Sequence, residues 1–170
     1  MLNKVIKLVE RRVGTYAAVK YDHATCNVIE EWHKLHNIPN PVDASKLHST
    51  LIYSRAPIAK EHQKNLDEIE LRSRGWRFMP DEFKLLPSSS DKGALNEVLV
   101  LTLKAPELVQ MHDDLCSKGA THDFDDYIPH VTLSYKVPLD FDLSITPPPV
   151  YFIPSKIYFE PLDLNWSEKN

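Results

Sequence analysis

Hydrophobic and polar residues alternate with a period of two over several stretches of the chain, as in strands that cover a core with one face. This pattern predicts six strands, at residues 13–21, 47–54, 76–86, 97–103, 130–137 and 155–164. We expect the third strand to kink at Pro80, because proline cannot donate to the ladder. Residues 97–103 are almost continuously apolar, which predicts a central strand covered on both faces.

Two other segments repeat their apolar residues with helical spacing. The first helix is expected to begin after an N-cap at Asp22 and to stop before residues 37–43, which contain two prolines. Its apolar positions are Val28, Ile29, Trp32 and Leu35. The second helix is expected to begin near Pro106 and to end at Gly119.

The order of these elements predicts the fold class. Strands outnumber helices by about two to one, and the helices do not follow every strand, which favours an α+β domain with helices packed on the backs of sheets. Leu66 and Ile69 suggest a further short helix, and residues 87–93 a loop. A length of 170 residues suits one domain, spanning residues 1–170.

Composition narrows the classes of function. The formal net charge of −4 argues against a protein that binds long nucleic acid, because such binding rests on many phosphate contacts by Lys and Arg. Two cysteines, Cys26 and Cys116, are too few for a disulfide scaffold or a four-ligand zinc site. No apolar run reaches the roughly 18 residues of a membrane span, and no signal-peptide core is present. We expect a cytoplasmic protein with reduced thiols and no membrane contact.

Two His-x-Thr triplets, His48-Ser49-Thr50 and His130-Val131-Thr132, carry the candidate chemistry. Residues i and i+2 of a strand share a face, so each histidine lies beside its own threonine. An imidazole that can move a proton and a hydroxyl that can donate to a phosphoryl oxygen together favour a phosphate site. The opposite faces, with Tyr53 in the first copy and Tyr135 in the second, are predicted to be core.

Chance alone predicts about 0.3 such triplets for this content of His and Thr, so a single one would be weak evidence. Three occur, but residues 23–25 open the first helix, where i and i+2 diverge by about 200°. We interpret that triplet as a solvated first turn. The other two share a strand context, one in each half of the chain.

The two strand triplets resemble those of the two-histidine (2H) phosphoesterases, and more narrowly the phage anti-CBASS cyclic-oligonucleotide nucleases. The similar segments are residues 14–19, 46–51 and 127–135, together with Glu160. The resemblance implies a bilobal, LigT-like fold, in which two antiparallel sheets line a central cleft and each lobe carries one His-x-Thr strand. It also implies hydrolysis of cyclic di- or trinucleotides that bacteria use as antiphage signals.

The resemblance further implies which residues act. His48, Thr50, His130 and Thr132 are the expected catalytic residues, and Tyr16, Trp76 and Glu160 the expected substrate contacts. Each of these three contacts has an ordinary alternative: a sheet tyrosine, a core tryptophan and a solvated glutamate. We expect no cofactor and no metal, since residues 112–114 and 122–126, although rich in His and Asp, are expected to form a solvated helix face and a loop.

The expected chemistry is general acid–base cleavage of a 3′–5′ phosphodiester, with one histidine as base and the other as acid. Two other functions remain open at this point. One is a 2′,3′-cyclic phosphodiesterase or 2′–5′ RNA-processing enzyme, which a basic strip at Arg72, Arg74 and Arg77 would suit. The other is a non-catalytic protein that sequesters cyclic nucleotides. No protein partner is indicated.

Overall fold

The computed structural model describes residues 13–60, 71–87, 96–123 and 126–163. Those ranges hold six strands and two α-helices: β1 (Val13–Tyr21), α1 (His23–Leu35), β2 (His48–Ser54), β3 (Met79–Pro87), β4 (Asn96–Lys104), α2 (Pro106–Ser117), β5 (His130–Pro138) and β6 (Pro154–Asp163). The predicted α+β class is confirmed. The short helix expected at Leu66 and Ile69, and most of the loop expected after Pro87, lie outside the described residues.

The strands form two antiparallel sheets of three strands each, in the orders β2-β1-β6 and β3-β4-β5. The apolar strand β4 is central in its sheet, as predicted, and Leu99 and Leu101 are fully buried there. The register of β3 shifts between Pro80 and Phe83, where the sequence predicts a kink.

The two sheets meet along β2 and β5. The Ser49 hydroxyl donates a hydrogen bond of 2.8 Å to the carbonyl oxygen of His130, and an isolated bridge joins Pro41 to Ser134. The two strands that carry the His-x-Thr triplets are therefore neighbours at the boundary between the lobes.

Helix α1 begins as predicted, because Asp22 Oδ1 accepts a 2.9 Å hydrogen bond from the backbone N–H of Thr25. Ile29 and Trp32 are buried in the core, but Leu35 is 76% exposed, so its predicted place on the apolar face is wrong. At 100° per residue, Leu35 lies about 120° around the helix axis from Ile29. Both helices are too short and too polar to cross a membrane, as far as the described residues extend.

The triplet at residues 23–25 opens α1, as expected, but it is not wholly solvated. Thr25 is buried, and its hydroxyl donates to the Tyr151 carbonyl over 3.4 Å and accepts from the Ile153 N–H over 3.2 Å. His23 and Ala24 remain exposed. The threonine therefore ties the helix to the chain that leads into β6.

Helix α2 ends at Ser117, two residues before the predicted boundary at Gly119. Gly119 has a φ of 106°, a positive value that residues with a Cβ atom rarely adopt. The backbone N–H of Ala120 then donates to the Leu115 carbonyl over 3.0 Å, which closes the last turn.

Candidate active site

The first residue of β2, His48, and the first residue of β5, His130, are held in the same way. The Nδ1–H of His48 donates to the carbonyl of Lys46 over 2.9 Å, and that of His130 donates to the carbonyl of Ile128 over 2.9 Å. A carbonyl oxygen only accepts, so each Nδ1 carries a proton in this bond. Each Nε2 is therefore the nitrogen that can take up or release a proton.

A buried chain of hydroxyls connects the two histidine-bearing strands. Ser49 uses its single proton to bond the carbonyl of His130, so the 2.6 Å contact between Tyr21 and Ser49 has the Tyr21 hydroxyl as donor. Burial raises the pKa of Tyr21, which keeps this donor protonated. The spacing between the two triplets thus depends on a hydrogen bond from the middle residue of one to the first residue of the other.

Thr50 is fixed at both its side chain and its backbone. Its Oγ1 lies 2.9 Å from the Tyr16 hydroxyl, and its carbonyl accepts a 2.8 Å bond from the Tyr127 hydroxyl. The next carbonyl, of Leu51, accepts a 2.7 Å bond from Nδ1 of His112, whose ring stacks on Tyr127 at 4.2 Å. The Tyr16 hydroxyl also has a side-chain hydrogen bond with Tyr158, so Thr50, Tyr16 and Tyr158 form a connected set of hydroxyls.

Both His-x-Thr strands carry a β-bulge immediately after the threonine. Directly after the threonine, the register skips Leu51 in β2 and Leu133 in β5. An inserted residue reverses the alternation of faces, so Tyr53 and Tyr135 emerge on the side of the histidines. They are 42% and 61% exposed. The prediction that these two tyrosines belong to the core is wrong for this reason.

The cleft face of the first sheet carries Tyr16 and Glu160 opposite each other in register, with Tyr158 beside them. Burial is the main cause that raises the pKa of Tyr16 and of Tyr158, and the nearby Tyr135 and Glu160 raise both further. The two hydroxyls therefore stay neutral near pH 7. Tyr135 of the second sheet therefore affects the pKa of two tyrosines on the first sheet.

Lys20 and Lys156 add positive charge to the same face. Lys20 pairs in register with His48 on one side and with Lys156 on the other, and its Nζ lies 4.9 Å from the centre of the Tyr158 ring. Lys156, Tyr158 and Glu160 lie at alternate positions of β6 and therefore share this face. Lys20 is a cationic neighbour of this face that the sequence pattern did not indicate.

Trp76 lies in the approach to β3 and is half-buried. Its ring lies 6.5 Å from the Phe78 ring and carries the Arg74 guanidinium at 5.1 Å. One part of the indole packs toward the core and the rest is accessible. Trp76 therefore has features of both a core tryptophan and an accessible ring that could contact a substrate. Its ring contacts are with this approach rather than with the His-x-Thr residues.

The two clusters considered as metal ligands have other contacts, and the expectation of a solvated helix face is wrong for His112, which is 4% exposed. Asp123 forms an ion pair of 3.1 Å with Arg55, and the rings of His112 and His122 meet edge to face at 4.5 Å. Among the residues that the structure describes, no group of three or more His, Cys, Asp or Glu side chains could hold a metal ion.

Comparison with known sequences gives one consistent result. A family model described as "Anti-CBASS protein Acb1" matches residues 13–169. The protein of that name from Enterobacteria phage T4 is 36% identical over 156 residues, which is 91% of this chain and 92% of the relative. The one from Vibrio phage KVP40 is 33% identical over 172 residues, covering 98% and 99%.

Solved structures of low sequence identity share the architecture. A phosphoesterase is 16% identical with a TM-score of 0.50, covering 86% of each chain. LigT of E. coli in complex with 3′-AMP is 16% identical with a TM-score of 0.50, covering 88% of this chain and 94% of LigT. At this identity the likeness concerns the fold alone, and it confirms the predicted LigT-like fold.

Proposed function

Because this chain belongs to the anti-CBASS protein Acb1 family, we propose that it hydrolyses 3′–5′ bonds of cyclic di- and trinucleotides without a metal ion and thereby blocks CBASS antiphage signalling. Its place of action would be the cytoplasm of an infected bacterium. The observation that carries the proposal is the matched pair His48 and His130, each with Nδ1 bonded to a backbone carbonyl and Nε2 left for proton transfer.

The two histidines act as base and acid in one step. One Nε2 takes the proton from a ribose 2′-hydroxyl as its oxygen attacks phosphorus, and the other Nε2–H gives its proton to the departing 5′-oxygen. The bond from phosphorus to O5′ breaks and a 2′,3′-cyclic phosphate forms. Water can open that ring with the two roles reversed, which restores both protonation states.

The threonines stabilise the negative charge that develops on the non-bridging oxygens of the phosphate. Thr50 and Thr132 lie beside their histidines on the cleft face, so their hydroxyls can donate to the non-bridging oxygens. Tyr16 holds the Thr50 hydroxyl at 2.9 Å, which limits its rotation before the substrate arrives. Such fixed donors are more effective than donors that must reorient during the reaction.

Glu160 and Trp76 are the expected contacts to the bases of the substrate. Glu160 lies opposite Tyr16 in register and is exposed, so its carboxylate can accept hydrogen bonds from a base N–H. The accessible part of Trp76 offers a surface on which a base can stack. A compact ligand with two or three charges needs few cationic contacts, in keeping with a net charge of −4.

A substrate panel tests this function. The protein is incubated in excess EDTA with cyclic di- and trinucleotides and with RNA that ends in a 2′,3′-cyclic phosphate, and the products are separated by chromatography. We expect linear products from the cyclic nucleotides. Preferential opening of RNA ends would favour the RNA-processing function, and tight binding without products would favour sequestration.

A further inference from the structure

A cavity of about 500 Å³ extends from the reacting groups across the cleft face of the second sheet. Its walls include Tyr53, Lys84, Leu86, Val100, Thr102 and Ile128, and the carboxylates of Asp123 and Asp126 also line it. His130 and Thr50 line its inner end. A phosphate held by these two residues would therefore have the cavity beside it.

The pairing of the strands explains why the cavity opens beside the reacting groups. Val100 lies opposite Thr132 and Thr102 lies opposite His130, so the side chains of β4 continue the catalytic face sideways. Lys84 lies opposite Val100 and extends the same face to the outer strand. A nucleoside attached to the phosphate could therefore lie along these side chains of β4 and β3, in contact with the sheet.

The apolar side chains that line the cavity are partly exposed to solvent, whereas core side chains are not. Tyr53, Leu86 and Ile128 are 42%, 39% and 48% exposed. Concave sites that combine apolar walls with a few polar groups are typical of small-molecule binding. Thr102 is already engaged, since its Oγ1 accepts from the Glu82 N–H over 3.1 Å and donates to the Glu82 carbonyl over 3.2 Å.

The two sheets differ at matching positions of their outer strands. In the first sheet, Tyr158 of the outer strand β6 is in register with Thr50, and Glu160 follows two residues later. The second sheet carries Lys84 and then Leu86 at the matching places. At these matching positions, the first sheet therefore offers a carboxylate that only accepts, and the second sheet offers an ammonium that only donates.

We propose that this cavity is a second base site, which takes the nucleobase on the other side of the scissile phosphate and prefers a purine whose N7 or O6 accepts from Lys84. The inference rests on the proposed function and assigns the second nucleoside of the same substrate. Tyr53 and Leu86 contact the base, and the Lys84 ammonium, now 3.2 Å from Glu82, turns to the acceptor edge.

Binding is measured by calorimetry in the His48→Ala background, so that no turnover interferes. The ligands are the 3′,3′-cyclic dimers of guanosine and of uridine. We expect Leu86→Ala to weaken both dimers by at least about 4-fold, the effect of removing one CH₂ group from contact with the base. Lys84→Met should reduce the preference for the guanosine dimer. Met79→Ala is the matched control, since Met79 is a 49% exposed apolar residue on the same strand but outside the cavity.

The outcomes separate this inference from the proposed function. If Leu86→Ala and Lys84→Met bind both dimers as their parent does, while the wild type cleaves them, the second base site is wrong and the function stands. If the parent binds neither dimer, both are wrong. An effect of Met79→Ala as large as that of Leu86→Ala would also contradict the assignment. Both effects would then come from a general change in β3 and not from the loss of a contact inside the cavity.

Discussion

The Ser49 hydroxyl donates a 2.8 Å hydrogen bond to the carbonyl oxygen of His130, so the middle residue of one His-x-Thr triplet anchors the first residue of the other. Ser49 is fully buried and also accepts from Tyr21. A buried hydrogen bond of this kind resists extension, because lengthening it leaves a carbonyl unsatisfied. This hydrogen bond therefore contributes directly to the spacing between the two histidines.

Ser49→Ala should lower both stability and turnover. The carbonyl of His130 and the hydroxyl of Tyr21 each lose a partner, which costs about 1–3 kcal/mol of unfolding free energy. Tyr21→Phe is the control, because it keeps the bond from Ser49 to His130 and should lose stability with little loss of kcat. Urea unfolding and steady-state kinetics measure the two effects. A Ser49→Ala protein with wild-type kcat would show that this bond does not position His130.

Tyr16→Phe should reduce kcat/KM while leaving the ring in place. The variant loses the 2.9 Å bond that holds the Thr50 hydroxyl, and one hydrogen bond of about 1.4 kcal/mol corresponds to roughly 10-fold in rate. Tyr151→Phe, at a 49% exposed tyrosine, is the control. Equal kinetics for the wild type and Tyr16→Phe would leave Tyr16 with a packing role only.

Trp76→Ala should weaken the binding of a cyclic dinucleotide by about 5-fold to 150-fold, the range for loss of one stacked base. Trp76→Phe keeps an aromatic surface and should lose less. Binding by the wild type should depend weakly on salt, since few counterions are released. A steep salt dependence, together with no effect of Trp76→Ala, would favour an RNA-end substrate instead.

Stability should fall at alkaline pH. Burial is the main cause that raises the pKa of Tyr21 and of Tyr127 above the usual 10.0. Above about pH 10 the unfolded chain releases these protons and the folded chain retains them, so the free energy of unfolding decreases as pH rises. Urea midpoints at about pH 8 and pH 11 measure the decrease. It should be shallower in Tyr21→Phe and unchanged in Tyr151→Phe, and the opposite order would contradict burial as the cause.

Periodicity predicted the strands because one-sided burial leaves a direct trace in the sequence. It could not predict the bulges at Leu51 and Leu133, since an inserted residue changes the register only through its partner strand. The tyrosines at 53 and 135 were assigned to the wrong face for that reason. A signal was nevertheless present: both triplets are followed by Leu, one further residue and Tyr at the same spacing.

The catalytic pairs could be proposed from sequence because His and Thr two residues apart on a strand must share a face. The contacts that support them could not, since the residues involved are far apart along the chain. Tyr127 and His112 reach the carbonyls of Thr50 and Leu51 from other elements, 77 and 61 residues away. The cavity beside His130 likewise depends on which strands pair.

The most direct test of the paired-histidine mechanism is the single-turnover rate of cyclic dinucleotide cleavage in excess EDTA for the wild type, His48→Ala, His130→Ala and His23→Ala. The last is the control, because His23 is exposed and begins the third His-x-Thr triplet, on a helix. The account predicts that His48→Ala and His130→Ala each lose about 10²-fold to 10⁴-fold in rate with unchanged unfolding midpoints, and that His23→Ala reacts as the wild type does. Wild-type rates in either of the two strand variants, or loss of wild-type activity in EDTA that a divalent ion restores, would contradict it.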